Sequence, residues 1–163
     1  MAAADAVRAL TELEPSLKWP NDLLLQNRKL AGLLVETIAR PGQPPLALLG
    51  LGLNLHQQTA DFPVELKKSA ISLRQAAGRI VPRTQILAAF LESLLSRLTQ
   101  PIPEAMEDWR NICFHLGRST RVRLGTEEII GTAETLDDSG HLHLRLPDGS
   151  LRVLTSGETD FPA

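Results

Sequence analysis

Residues 18–36 read KWPNDLLLQNRKLAGLLVE, and the expected architecture follows from them. The polar segment KWPND leads into LLLQ at 23–26, and a second apolar run, LAGLLVET, follows at 30–37. The short polar connection between them is Asn27-Arg28-Lys29. Two apolar runs joined by such a connection are typical of a β-hairpin. The sequence therefore predicts a hairpin whose first strand emerges directly from KWPND.

The segments on either side of the hairpin predict a helix and a third strand. Residues 1–14 place apolar side chains at helical spacing, and Pro15 disfavours helix in the residue before it. After the loop PGQPP at 41–45 comes LALLGLGLNL at 46–55. This run is too apolar for an edge strand and short for a helix, so it predicts a buried central strand that ends near Asn54.

Three further helices are predicted before the pattern changes. Ser72 and Gln75 have the spacing of a capping box, which predicts a short helix at 73–77. Apolar residues recur with helical spacing over 86–98, as in an amphipathic helix that lies on a sheet. Pro103 is suited to the first turn of a last helix.

From residue 117 onwards, short alternating runs separated by Gly- and Asp-rich turns predict a small antiparallel barrel. The boundary is expected at 114–117. We therefore predict an α+β domain over 1–115 and an all-β domain over 116–163, each with its own core.

Composition limits the classes of partner. The 163 residues carry a formal net charge of −2, so there is no broad basic field for binding duplex DNA through its phosphates. The single cysteine, Cys113, cannot form an internal disulfide, which favours a reducing compartment. Residues 1–14 lack the apolar core of a signal peptide, and the longest apolar run, 46–53, is shorter than the roughly 20 residues that cross a bilayer. The sequence predicts a cytoplasmic protein.

The KWPND segment is the first candidate site. It places a cation, an aromatic ring, a rigid proline, an amide and a carboxylate in five positions, which is poor material for a core. The structural alternative is a strand-to-turn connection in which Asn21 and Asp22 bond to nearby backbone. Lys29 would ordinarily be a solvated turn residue. Composition alone leaves both interpretations open.

The combination of segments is more specific than any one of them. KWPND followed by RKLAG, then GLGLNL at 50–55 and SLRQAAG at 72–78, resembles the central motifs of the biotin–protein ligase family in content, order and spacing. Residues 117–159 resemble the SH3-like C-terminal domain of that family. The resemblance implies a partial mixed sheet of the biotin/lipoate ligase type with packed helices, followed by an SH3-like barrel.

The resemblance also implies a two-step reaction. ATP and biotin would give biotinyl-adenylate and pyrophosphate, and a lysine of the biotin carrier domain of a biotin-dependent carboxylase would then attack the mixed anhydride. Mg²⁺ would arrive with ATP, because it is held largely by phosphates and water. No zinc-type spacing is present among His56, His115, His141 and His143, so we expect no protein-held metal.

Two catalytic residues follow from the resemblance. Lys29 would be the cation that stabilises the attacking carboxylate and the developing phosphorane charge. Asp22 would contact the nucleotide side of the adenylate and orient or deprotonate the incoming lysine. Lys18 and Asn21 would bind the substrate or nucleotide beside Asp22. Trp19 would either form a wall of the binding site or pack in the core.

Three more residues are expected to bind the substrates. Gly32 and Leu33 would present backbone beside the biotin rings, where a side chain at Gly32 would prevent close approach. Asn54 would meet the adenylate at the end of its strand. The structural alternatives are strand packing for Leu33 and a turn for Asn54.

The resemblance further implies an arginine- and glycine-rich segment upstream of the first helix, and in many members a winged-helix DNA-binding domain. This sequence begins after both. We therefore expect an N-terminally truncated catalytic domain with impaired activity, an unpaired sheet edge and no DNA partner. The alternatives are a non-catalytic regulatory protein that forms a homodimer through that edge, and a lipoate-ligase relative. The pairing of KWPND with RKLAG argues against the second.

Overall fold

The computed structural model describes residues 1–160, and these form two antiparallel sheets with four helices. The helices are α1 Ala2–Thr11, α2 Leu73–Ala77, α3 Arg83–Arg97 and α4 Ile102–Asn111. The first sheet contains β1 Ser16–Lys18, β2 Asp22–Leu25, β3 Arg28–Arg40 and β4 Gln43–Leu53, in that order. The second contains β5 Ser119–Leu124, β6 Glu127–Leu136, β7 Leu142–Arg145, β8 Leu151–Leu154 and β9 Glu158–Asp160, in the order β8-β7-β6-β5-β9. The predicted fold class is confirmed.

The hairpin formed by β2 and β3 is present, with its turn one residue earlier than expected. Gln26 and Asn27 occupy the turn with φ of 51° and 59°. Two consecutive left-handed residues are the geometry of a tight hairpin turn, which matches the twist of the flanking strands. The predicted helix at 73–77 is also confirmed, and Ser72 and Gln75 make both bonds of the capping box.

The expectation that 46–55 forms a buried central strand is wrong. β4 lies at the edge of the described sheet, and its residues 43–50 are exposed on both faces together with the facing part of β3. Leu34 and Val35 on β3 are 59% and 61% exposed. Apolarity predicts a surface that is able to be buried, but no described element covers this one. The expected unpaired edge with apolar side chains is therefore confirmed for residues 1–160.

The amphipathic helix α3 contacts α1 more than the sheet. Of its apolar stripe only Ile86 and Phe90 are buried, while the outer leucines are exposed. Arg97 of α3 donates from Nε to Asp5 of α1 at 2.9 Å. The alanine-rich face of α1 allows this close packing, so the part of the prediction that laid the whole stripe on the sheet is wrong.

The barrel has its own core, but that core also contains residues of the first part of the chain. Trp19 and Met106 belong to the same buried cluster as Val122, Leu142 and Leu144 of the barrel. The two predicted cores are thus present and in contact, and the division at 115/116 stays a prediction. Residues 161–163 of the predicted second domain lie outside the described residues.

No helix within residues 1–160 is long and apolar enough to cross a membrane.

His115 lies where the two parts of the chain meet, and it is fully buried. Its ring makes an edge-on contact with Phe114, with centroids 5.9 Å apart, and Nδ1 lies 3.5 Å from the Thr120 hydroxyl. Burial, and after it the nearby cations Lys18 and Arg118, together lower the pKa of His115 from 6.5 to about 4.

This shift makes stability depend on pH. Because the folded pKa lies below the unfolded one, the unfolded chain takes up the proton first, and stability is lost as pH falls from about 6.5 towards 4. We expect urea unfolding to show a loss of about 2 kcal/mol between pH 7 and pH 5. His115→Gln should remove most of that difference, and an unchanged pH slope in this variant would contradict the assignment.

Candidate functional site

A wide cleft of about 1090 Å³ separates the base of the hairpin from the barrel. We call it the main cleft. The KWPND segment, the start of β3 and the last described strand of the barrel all line it. Its charged lining residues are Lys18, Lys29 and Arg123 together with Asp22, Glu158 and Asp160. Three cations face three carboxylates, so the cleft suits a ligand with both anionic and polar neutral parts.

The central feature of the main cleft is an ion pair between Lys29 and Asp22. Lys29 Nζ lies 2.7 Å from Asp22 Oδ1. The Asp22 side chain is 15% exposed, whereas that of Lys29 is 52% exposed. The carboxylate thus holds the cation at the cleft while leaving the ammonium accessible to a ligand. Such an ammonium can stabilise negative charge on a bound carboxylate or phosphate.

A β-bulge brings these two side chains to the same face. Asp22 pairs with Gly32 and Leu23 with Ala31, but the next residue, Leu24, pairs with Lys29. Leu30 is left without a cross-strand partner and is fully buried. Side chains alternate between faces along a strand, so the extra residue moves Lys29 to the face of Asp22.

The backbone around Lys29 is fixed from a second direction. Its N–H donates to the Ser69 carbonyl at 2.7 Å, and its carbonyl accepts from the Ile71 N–H at 3.0 Å. The Asn54 side-chain amide donates to the same carbonyl at 3.3 Å. The start of β3 is therefore held by both β2 and the segment after β4.

Gly32 faces the ion pair directly. A Cβ at this position would lie 3.3 Å from Asp22 Oδ1 and 3.5 Å from Lys29 Nζ. The first distance is tighter than an ordinary contact, so a side chain would press on the pair. The absence of a side chain at Gly32 keeps this part of the main cleft open, which supports its expected role.

Asn21 and Leu33 bind each other through their backbone and one side chain. The Asn21 amide donates to the Leu33 carbonyl at 2.8 Å, and the Leu33 N–H donates to the Asn21 carbonyl at 2.9 Å. Both residues line the main cleft. The Asn21 amide nitrogen is therefore already engaged in shaping the turn.

Asn54 does not line the main cleft. It faces a neighbouring pocket of about 620 Å³, the side pocket, which is also lined by Phe62 and Leu66. Lys18, Asp22 and Lys29 line both spaces. The ion pair thus stands at the junction of two cavities, where the two halves of an extended ligand would meet.

Trp19 packs in the barrel core and also lines the main cleft. It is 1% exposed and lies in the barrel core. Its indole N–H donates to the Gly140 carbonyl at 2.9 Å, and its own carbonyl accepts from the Thr159 hydroxyl at 2.5 Å. Trp19 therefore packs in the core at the border of the main cleft, and its role towards a ligand stays a prediction.

The barrel residues that line the main cleft were missed by sequence reasoning. Arg123, Glu158 and Thr159 lie about a hundred positions or more from KWPND, and an alternating strand pattern does not show which element it will face. Within residues 1–160, no group of three or more His, Cys, Asp or Glu side chains is arranged to hold a metal ion.

Comparison with known proteins gives two matching family profiles. Residues 1–54 match the biotin/lipoate A/B protein ligase family, and residues 115–161 match the biotin protein ligase C-terminal domain. A curated relative, the biotin–[acetyl-CoA-carboxylase] ligase of Mycobacterium tuberculosis, is 33% identical over 97% of this chain and 58% of its own length. The chain spans about half the length of the curated relatives it matches.

Solved structures agree with the sequence relatives. The apo biotin protein ligase from Aquifex aeolicus superposes with a TM-score of 0.84 at 26% identity, over 99% of this chain and 71% of that one. The same enzyme in complex with biotin and ATP gives a TM-score of 0.77 at 26% identity, over 98% and 66%. By the order of its motifs, its fold and its matches at both ends, the chain belongs to the biotin protein ligase family.

Proposed function

We propose that this chain carries the catalytic ion pair of a biotin–protein ligase, which forms biotinyl-AMP from biotin and ATP and transfers biotin to a carrier lysine. The observation that carries the proposal is the Lys29–Asp22 pair, exposed on its cationic side at the junction of the main cleft and the side pocket. A solved relative that binds biotin and ATP supports the choice of substrates.

In the first step, an oxygen of the biotin carboxylate attacks the α-phosphorus of ATP. The bond from that phosphorus to the bridging oxygen breaks, and pyrophosphate leaves with its electron pair. Two anions must approach each other, so a cation between them lowers the barrier. The Lys29 ammonium is accessible for this role, and Asp22 holds it in position at 2.7 Å.

In the second step, the neutral amine of a carrier lysine attacks the carbonyl of the mixed anhydride, and AMP leaves. The attacking nitrogen must lose a proton, and the Asp22 carboxylate at the cleft is placed to orient the amine or accept that proton. The partner under this proposal is the biotin carrier domain of a biotin-dependent carboxylase.

The division of the ligand between the two cavities follows from their linings. Gly32 and Leu33 offer close backbone approach in the main cleft, which suits the biotin rings. The side pocket, with Asn54, Phe62 and Leu66, has a polar edge and apolar walls, which suit the nucleoside. Mg²⁺ would enter as part of the ATP substrate, held by phosphates and water.

Two observations bear on the alternatives. The profile of the biotin protein ligase C-terminal domain favours biotin over lipoate as the acid. A cytoplasmic setting is part of the proposal, since the single cysteine, Cys113, is a free thiol and forms no internal disulfide.

Lys29→Ala tests the proposed function. Because Lys29 is half exposed, we expect a loss of only about 1 kcal/mol in unfolding free energy. Calorimetric titration with a non-hydrolysable biotinyl-adenylate analogue should show at least tenfold weaker binding, and pyrophosphate release should fall about 100-fold. Lys68→Ala removes an exposed lysine outside both cavities and serves as the matched control. If the Lys29 and Lys68 variants bound the analogue with equal affinity, Lys29 would not contribute to ligand binding.

Gly32→Ala tests the open floor of the main cleft. The new methyl group would meet Asp22 Oδ1 at 3.3 Å, so we expect the ion pair to shift and the analogue to bind about tenfold more weakly. Gly52 lies opposite Gly32 in the register, and its Cβ would meet only a carbonyl oxygen at 3.8 Å. Gly52 also lines the main cleft, so Gly52→Ala should leave the ion pair undisturbed and weaken binding less than Gly32→Ala does. If both alanines weaken binding equally, the steric argument is wrong.

A further inference from the structure

The barrel holds the KWPND segment at one residue through two hydrogen bonds. The Gly140 carbonyl accepts from the Trp19 indole at 2.9 Å, and the Thr159 hydroxyl donates to the Trp19 carbonyl at 2.5 Å. Thr159 is 3% exposed and Trp19 1%, so the bond between them is shielded from water, and the indole bond to Gly140 is partly buried. We call this arrangement the Trp19 clamp. Shielded bonds of this kind fix geometry strongly, because breaking one leaves a buried polar group without a partner.

The turn that presents Gly140 is itself rigid. Asp137 accepts from the backbone N–H groups of Ser139 and His141, both at 2.9 Å, and its carboxylate lies 3.1 Å from His143 Nε2. The His141 backbone bond is the largest cause that lowers the pKa of Asp137, to about 2. The carboxylate is therefore charged and bound at neutral pH, and the Gly140 carbonyl is presented in one orientation.

The other end of the KWPND segment is held by the β2–β3 hairpin. Asn21 and Leu33 exchange bonds of 2.8 and 2.9 Å, and Asp22 pairs with Gly32 across the strands. Only Pro20 separates the part held by the barrel from the part held by β3. A displacement at Trp19 would be passed to Asp22 within three residues.

We propose that the barrel is a positioning element for the site, and that Thr159 and Trp19 set the location of Asp22, and through it of the Lys29 ammonium. The inference rests on the proposed function for its effect on ligand affinity. The mechanical part, that the clamp fixes the KWPND turn, does not depend on which ligand binds.

Thr159→Val in the 163-residue chain removes the clamp hydroxyl and retains the shape of the side chain. We expect the Leu33 amide, which donates to Asn21, to exchange its hydrogen about tenfold faster in the variant. The affinity for the non-hydrolysable biotinyl-adenylate analogue should fall about tenfold. Thr159→Ser keeps the hydroxyl and should restore both quantities to within about twofold of the parent chain.

Thr120→Val is the matched control. Thr120 is buried in the neighbouring strand β5, where its hydroxyl donates to the Arg118 carbonyl and lies 3.5 Å from His115 Nδ1, instead of bonding to Trp19. Thr120→Val should lower the unfolding temperature about as much as Thr159→Val does, and it should leave the hydrogen exchange of the Leu33 amide unchanged. Equal acceleration of Leu33 exchange in the Thr159 and Thr120 variants would overturn the clamp, because the effect would then be general destabilisation.

The readouts also separate this inference from the proposed function. Faster Leu33 exchange with an unchanged affinity for the analogue would overturn the positioning of the site by the barrel. If no variant and not even the parent chain bound the analogue, the proposed function would fail, while the exchange rates would still decide whether the clamp exists.

Discussion

The ion pair between Lys29 and Asp22 is the constraint around which the rest of the site is arranged. Two residues on adjacent strands reach 2.7 Å only because Leu30 is bulged out of register and Gly32 contributes no side chain at the point of closest approach. The bulge is tolerated because Leu30 is buried in the main core. Local backbone irregularity is thus stabilised by packing and places a cation at the opening of the main cleft.

The barrel takes part in this arrangement, although it shares no strand with the first sheet. By accepting Trp19 into its core and bonding to that residue at both its indole and its carbonyl, it fixes one end of the KWPND turn. The hairpin fixes the other end through Asn21 and Leu33. A cleft whose charged groups come from two packed units keeps its width only while both attachments hold.

The sequence allows the hairpin, the capped helix at 73–77 and the barrel to be predicted, because each depends on local periodicity and turn chemistry. Lys29 and Asp22 could be named through the motifs, since the resemblance ties those positions to adenylate chemistry. The bulge at Leu30, the packing of Trp19 against the barrel rather than the first sheet, and the contribution of Thr159 could not be predicted. They depend on contacts between distant parts of the chain, and periodicity carries no information about those. The apolar run of β4 wrongly predicted a buried central strand, because an apolar run shows what a surface favours and not what covers it. The exposed edge was expected only through the family resemblance.

A third cavity provides an alternative binding site against which the central claim can be tested directly. An apolar pocket of about 580 Å³ lies between β4 and α3, lined by Leu53, Ile86 and Phe90, and it would also accept an apolar ligand. The most direct measurement is a map of backbone and methyl chemical shifts of the chain on titration with the non-hydrolysable biotinyl-adenylate analogue. The account predicts the largest changes at Asp22 and residues 29–33, at Glu158–Asp160, and at Asn54, Phe62 and Leu66 of the side pocket. Changes confined to the pocket between β4 and α3 would contradict it.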